Sequence, residues 1–162
     1  MIRFVTIDED SLSAAREIYD YYSLHSTATF RDKPIIPEEF RKSMDVGSQV
    51  YPSFLIRENG IVLGYCCIRR YNRLRAYDRT AEVAIYLNAE HTGKGIGKVA
   101  LGYLEEHARG AGLQVLIGII TGENYPSIRL FESMGYTRSA HLKNVGELSG
   151  RLLDVVIYQK DL

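Results

Sequence analysis

The sequence has no excess of either charge and no long hydrophobic run. Lys and Arg together number 20 and are balanced by 20 Asp and Glu. This balance argues against nucleic acid as the main partner, because phosphate binding normally demands a clear basic excess. The longest apolar stretches, such as 115–120, fall far short of the ~20 residues that span a bilayer. We therefore expect a protein whose partners are neither nucleic acid nor membrane.

Cysteine is scarce, and the only two, Cys66 and Cys67, are adjacent in an apolar run. Neighbouring strand residues point to opposite faces, so a disulfide between them is disfavoured, and two buried thiols suit a reducing compartment. The opening residues reach acidic positions by Asp8 and contain no apolar stretch typical of a secretion signal. We expect a cytoplasmic protein. Without repeats or flexible linkers, residues 1–162 are expected to form a single domain.

Strand and helix patterns alternate along the chain. The periodicity predicts strands at 3–7, 53–57, 61–69, 80–88, 113–121 and 152–159, and helices at 8–23, from Pro37, from Ile96 to a stop at Gly110, and at 127–134. Asn59-Gly60 lies between two β-rich runs, a strong hairpin signal. Helical crossovers on both sides of 113–121 imply parallel pairing around that strand. The chain is therefore expected to form a mixed α/β sheet.

A glycine-rich loop, in the segment AIYLNAEHTGKGIGKVAL at 84–101, joins a strand to the most regular helix. Gly93, Gly95 and Gly97 allow a ligand to approach the backbone, and free N–H groups at a helix N-terminus bind phosphate. Lys94 and Lys98 add positive charge. The spacing fits neither the Walker A motif nor the dinucleotide fingerprint. From the glycines alone, a tight turn without any ligand remains the alternative.

The strand, loop and helix resemble the coenzyme A pyrophosphate loop of the GNAT superfamily of N-acetyltransferases. The segment NYPSIRLFESMGY, at 124–136, resembles the second signature of that superfamily. Segments 27–30, 75–87 and 141–154 resemble the phosphinothricin/methionine sulfoximine acetyltransferase branch. The resemblance implies the α/β (mixed α+β) GNAT fold, with a mostly antiparallel twisted sheet, helices on both faces and a central parallel strand pair.

The resemblance also implies that acetyl-CoA is the cosubstrate. Backbone groups of one strand would pair with the pantetheine arm, and an N–H group there would polarise the thioester carbonyl. The residues implied to bind the coenzyme are Ile85, Tyr86, Leu87, Gly93, Lys94, Gly95, Ile96, Gly97, Lys98, Asn124 and Ser133. Thr92 departs from the Arg or Gln usual at its position. Phe131 stands where many members offer a tyrosine, so Tyr125, Ser133 or water is left to protonate the leaving thiolate.

Glu82 is the candidate for chemistry, because an ionised carboxylate on an otherwise apolar strand is costly. It is either a base at the acceptor amine, as the resemblance implies, or the partner of Arg79 or Arg75 in a structural ion pair. The loop before Glu82 is rich in arginine. It is either a solvated turn or a loop that binds an anion. The resemblance assigns acceptor binding to Arg75, Ala76 and Tyr77, with Phe30 as an apolar wall. No two of the four histidines have metal-ligand spacing, and no metal is expected.

These observations predict an acetyl-CoA-dependent N-acetyltransferase that acts on a small amino acid or a glutamate-like analogue. The alternatives are an acetyltransferase for another small amine and a coenzyme A-binding module without catalysis. A homodimer is also expected, because the resemblance implies one. Segment 136–151 is long and has no clear place in the core of a single domain, and its apolar residues favour contact with a second copy. The alternative is a surface segment that covers the sheet of its own chain.

Overall fold

The computed structural model describes residues 1–162, which form seven strands and four α-helices. In chain order the elements are β1 (Arg3–Thr6), α1 (Leu12–His25), α2 (Pro37–Ser43), β2 (Ser53–Glu58), β3 (Ile61–Arg70), β4 (Thr80–Leu87), α3 (Ile96–Gly110), β5 (Val115–Thr121), α4 (Tyr125–Ser133), β6 (Thr137–Leu148) and β7 (Arg151–Asp161). Short 3-10 turns at Arg75–Tyr77 and Ala89–His91 flank β4.

All seven strands form one sheet in the order β1-β2-β3-β4-β5-β7-β6. Every neighbouring pair is antiparallel except β4 and β5, which run parallel through three residue pairs that end at Glu82 and Ile117. The predicted fold class, with its central parallel pair, is confirmed. Only the crossover through α3 creates parallel neighbours, because α4 leads to β6, which pairs with β7 rather than β5.

Helices cover both faces of the sheet and bury two separate cores. The larger core lies beneath α3 and α4, and the smaller one beneath α1 and α2. Cys66 belongs to the first core and Cys67 to the second, and both are free thiols. The prediction that these adjacent residues point to opposite faces is therefore confirmed.

The predicted elements agree with the structure except at some ends and at β6. The first helix starts at Leu12 rather than at 8, because a turn precedes it. In that turn the Ser11 N–H donates to Asp8 Oδ1 at 2.9 Å and the Asp8 N–H donates to Ser11 Oγ at 3.0 Å. β6 was not predicted. It lies at the edge of the sheet, most of its side chains are exposed, and its register shifts twice, so no regular alternation marks it.

Two kinds of feature are absent from residues 1–162. None of the helices combines the length and apolar character that crossing a membrane requires. No three His, Cys, Asp or Glu side chains converge in an arrangement that could hold a metal ion.

Candidate active site

A cleft opens where β4 and β5 separate. Their parallel pairing stops at Glu82 and Ile117, and beyond that point β4 continues while pairing with β3 alone. The gap between the strands leads into a cavity of about 990 Å³. Its walls come from α1 and the loop after it on one face of the sheet, and from the start of α3 and from α4 on the other.

The free edge of β4 is the first feature of this cleft. Between Val83 and Leu87, the backbone groups that point toward β5 have no strand partner, so they are available to an extended ligand. The Tyr22 hydroxyl donates a hydrogen bond to Leu87 O and holds the free end of the strand against α1. Burial raises the pKa of Tyr22, which keeps the phenol protonated as a donor. Ile85, Tyr86 and Leu87, which the sequence singled out, all line the cavity.

The glycine loop lies at the other end of the cavity. Gly93 and Gly95 have φ values of +73° and +80°, a backbone conformation that side chains strongly disfavour. A Cβ at either position would meet no atom within 4 Å, so backbone conformation and ligand access, not packing, favour glycine there. Gly95 is also the N-cap of α3. The unpaired N–H groups of the first helical turn and the positive end of the helix are features that suit an anion.

The cationic side chains at this end differ from those expected. Lys98 lines the cavity, whereas Lys94 is exposed outside it, and Ile96 is buried in the core, so only its backbone can face a ligand. Arg129, on α4, also lines the cavity and was not identified from the sequence. Helices α3 and α4 pack closely, since a Cβ on Gly97 would approach Leu130 Cδ2 to 3.0 Å, and this packing places Arg129 at the same end of the cavity as Lys98.

Helix α4 supplies the remaining predicted coenzyme contacts. Asn124 is its N-cap and accepts a long hydrogen bond of 3.4 Å from the Ser127 N–H, and both Asn124 and Ser133 line the cavity. The Ser133 hydroxyl donates to Leu130 O at 2.8 Å. Tyr125 is 60% exposed and does not line the cavity, so of the two side chains considered as proton donors only Ser133 lies there.

Phe131 forms part of the cavity floor, and a glycine in β5 makes room for its ring. A Cβ on Gly118 would lie 2.5 Å from Phe131 Cε1, a distance that no packed side chain tolerates. Gly118 therefore allows α4 to approach the sheet where the two parallel strands diverge. Nothing in the local sequence around Gly118 indicates this contact, because it joins two different elements.

Glu82 stands at the point where the strands part, and its partner is Arg69. The two residues face each other across β3 and β4, and Arg69 Nη2 donates to Glu82 Oε1 at 2.7 Å. Burial by itself lowers the pKa of Arg69, but Cys67 and Glu82 beside it raise that pKa above the ordinary value, so the guanidinium stays charged. The expectation of a pair with Arg79 or Arg75 is wrong, because strand register selects the partner.

The loop after α1 closes the cleft on the side of Glu82. Phe30, with a φ of +57° and 37% exposure, lines the cavity as expected. Two hydrogen bonds of 2.8 Å hold this loop: one joins the buried hydroxyls of Ser23 and Thr29, and the other runs from the Thr121 hydroxyl to Thr27 O. The wall is thus attached to the end of β5.

The structure does not bring Arg75, Ala76 and Tyr77 into the cavity. They form an exposed 3-10 turn before β4, where the Tyr77 ring packs edge-on against Tyr71 at 5.7 Å. Their assignment to the acceptor remains a prediction.

Comparisons with known proteins agree on one family. Residues 15–136 match the family described as acetyltransferase (GNAT) family. An L-methionine sulfoximine/L-methionine sulfone acetyltransferase of Salmonella typhimurium is 33% identical over 163 residues, covering 99% of this chain and 94% of the relative. A phosphinothricin N-acetyltransferase of Streptomyces viridochromogenes is 29% identical, covering 93% and 82%. The solved phosphinothricin acetyltransferase of Sinorhizobium meliloti in complex with acetyl-CoA superposes with a TM-score of 0.90 at 30% identity, covering 100% of this chain and 88% of that one.

Proposed function

This chain belongs to the acetyltransferase (GNAT) family and is an acetyl-CoA-dependent N-acetyltransferase, and we propose that its acceptor is the amino group of a small amino acid or a glutamate-like analogue. The observation that carries this proposal is the position of Glu82. Its carboxylate lies at the point where β4 and β5 separate, in the same cavity as the glycine loop. The relatives named for methionine sulfoximine and phosphinothricin support an amino acid-like acceptor.

The residues at the glycine-loop end of the cavity fit a coenzyme A. Open space above Gly93 and Gly95, the N-terminus of α3, and the charges of Lys98 and Arg129 suit a pyrophosphate. The unpaired edge of β4 suits the amide groups of the pantetheine arm. When bound, acetyl-CoA supplies the thioester carbonyl that the acceptor amine attacks. An N–H group on the β4 edge would then stabilise the negative charge that develops on that carbonyl oxygen.

Glu82 would prepare the acceptor. An amino acid is an ammonium ion at neutral pH, so the nitrogen must lose a proton before it can attack, and the Glu82 carboxylate would accept that proton directly or through water. Phe30 and Tyr19 line the same cavity and give it an aromatic wall. Ser133 or water would protonate the departing thiolate, since Phe131 carries no donor.

An amine screen tests the proposal. Release of free thiol from acetyl-CoA, followed with phosphinothricin, methionine sulfoximine and free amino acids, should identify an acceptor, and mass spectrometry should show an added acetyl group. Replacing Glu82 by glutamine, which is nearly isosteric but a poor base, should lower turnover by ~10²- to 10⁴-fold while coenzyme affinity is kept. The loss should shrink at high pH, where free amine is already present.

The matched control is Glu106→Gln, since Glu106 is an exposed acidic residue on α3 outside the cavity. It should turn over at the wild-type rate. An E82Q variant as active as wild type at neutral pH would return Glu82 to a structural role. A complete absence of acetylation for every amino acid tested would remove the proposed acceptor class.

We also propose that the chain forms a homodimer through the β6–β7 hairpin. β6 ends the sheet and has a neighbour on one side only, and the hairpin exposes Leu142, Val145 and Leu152 by 43%, 58% and 60%. Sedimentation at micromolar concentration should give twice the chain mass, and a species of 18.4 kDa alone would contradict the dimer. Val145→Asp should dissociate it, whereas Val99→Asp, at a residue 48% exposed on α3, should not.

A further inference from the structure

We propose that Arg69 selects acceptors in which a carboxylate is attached to the same carbon as the amine. Arg69 would bind the α-carboxylate while Glu82 binds the neighbouring ammonium group. The inference rests on the proposed function and deepens it, because it assigns the discrimination between amino acids and simple amines to one guanidinium.

The first observation is that Arg69 and Glu82 enter the cavity side by side. They are directly opposite each other in the antiparallel register of β3 and β4, so both side chains leave the same face of the sheet. The side chains are 32% and 21% exposed, and both line the cavity. A positive and a negative group therefore stand next to each other at the position where the strands separate.

The second observation is that Arg69 has donors to spare. Arginine carries several N–H groups arranged as a fork, and here only Nη2 is used, in the bond to Glu82 Oε1. The Nε atom is buried and has no hydrogen-bond partner in the structure. Nε is too deeply buried for a ligand to reach, so an oxygen of a bound ligand would be placed on the Nη groups, whose one partner in the structure is Glu82.

The third observation concerns the distribution of charge around the cavity. Lys98 and Arg129 also line it, but they lie on α3 and α4, the elements that cover the opposite face of the sheet. Among the lining residues on the side of α1, Arg69 is the one that carries a positive charge. An anion close to Glu82 thus has Arg69 as its cationic partner on that face.

An α-amino acid complements this pair of charges. Its ammonium and carboxylate are attached to one carbon, so the two groups lie about as close together as the two side chains. Ammonium against Glu82 and carboxylate against Arg69 would give each ion an opposite charge, as a partly buried ion requires. A simple amine would satisfy Glu82 and leave the spare donors of Arg69 unused.

The experiment compares two acceptors in wild-type enzyme and in the Arg69→Gln variant. The acceptors are L-methionine sulfone and its α-carboxamide, which keeps the amine and side chain but lacks the anion. Loss of a charged hydrogen bond should raise the KM of Arg69→Gln for the acid by ~10- to 100-fold. Because Arg69→Gln also removes the hydrogen bond to Glu82, kcat should fall by a common factor for both acceptors. The proposal predicts that kcat/KM for the acid falls ~10- to 100-fold further than kcat/KM for the amide.

The neighbouring Arg70 provides the control, and the comparison of acid with amide provides the results that would overturn the proposal. Arg70→Gln, at an exposed residue paired with Asp78 outside the cavity, should change neither KM. If Arg69 merely positions Glu82, Arg69→Gln will lower kcat/KM for acid and amide by the same factor, and the proposal fails. Equal KM values for the two acceptors in wild type would also overturn it.

Two further measurements keep the result interpretable. Calorimetry of L-methionine sulfone binding to enzyme saturated with coenzyme A needs no turnover and should show the same ~10- to 100-fold weakening in Arg69→Gln. If Arg69→Gln is unstable, Arg69→Lys replaces it, because lysine keeps the charge but loses the fork of donors. Its affinity for L-methionine sulfone should be weaker than that of wild type. Acetylation of the amide but not of the acid overturns this inference, whereas acetylation of neither acceptor counts against the proposed amino acid substrate.

Discussion

Replacing Gly95 by valine separates the conformation of the glycine loop from its role in binding. Gly95 has a φ of +80°, and a Cβ there would meet nothing within 4 Å, so the added Cβ strains the backbone without a clash of its own. A side chain in this left-handed conformation costs ~1–2 kcal/mol. A domain of this size loses ~2–4 °C in Tm per kcal/mol, so we expect a decrease of ~2–8 °C and a folded protein.

The effect on coenzyme binding should be larger than the effect on stability. The space around Gly95 that is free of protein atoms is the space a phosphate must enter to reach the N–H groups of α3. A branched side chain there would displace the anion from at least one such donor. Loss of one charged hydrogen bond, ~1.5–3 kcal/mol, corresponds to an affinity ~10- to 150-fold weaker. Calorimetric titration with coenzyme A measures this directly.

Gly47→Val is the matched control. Gly47 has a φ of +89°, a Cβ there would also meet nothing within 4 Å, and the residue lies outside the cavity. This variant should show a similar decrease in Tm and an unchanged affinity for coenzyme A. The reasoning is refuted if both variants lose stability equally and both bind coenzyme A as wild type does, because the loop would then be a turn without a ligand.

Two other substitutions test the packing and the electrostatics of the fold. Gly118→Ala places a Cβ 2.5 Å from Phe131 Cε1, so α4 must shift, and denaturant unfolding should show a loss of ~1–3 kcal/mol. Asp154 accepts hydrogen bonds from the Asn144 N–H and from His141, which lower its pKa below the ordinary 3.8. A lowered pKa stabilises the fold above pH 3.8 and this contribution disappears as the pH falls further. Asp154→Asn should therefore unfold more easily than wild type at neutral pH, with a difference that diminishes in acid; a constant difference would exclude this ionisation as the cause.

Much of the fold could be predicted because its signals are local. Asn59 and Gly60 both adopt positive φ in the β2–β3 turn, as the Asn-Gly pair predicts. The regular apolar spacing of α3 and the glycines before it mark a strand, a tight loop and a helix within one short segment. In each case a few consecutive residues contain the physical cause of the conformation, so the sequence pattern was sufficient to predict the element.

The coenzyme end of the cavity shares this local character. Its strand edge, its loop and its helix N-terminus are consecutive in the chain, so most of the residues named there lie together, although Lys94 is outside the cavity. The acceptor end does not share it. The sequence marks Glu82 as a charge on an apolar strand. The ion pair considered for it as an alternative role was with Arg79 or Arg75, whereas the structure pairs it with Arg69 across the sheet.

The sequence by itself therefore determined the order of the elements, the glycine loop and the presence of one carboxylate, Glu82, on an apolar strand. The tertiary structure decided the register of β3 on β4, the separation of β4 from β5 after Glu82, the approach of Arg129 and the position of β6. The physical reason is that helix periodicity, turn conformation and glycine preference arise from neighbouring residues. Strand register and the splitting of a sheet depend on the packing of residues far apart in the chain, and so does the partner that a buried charge finds.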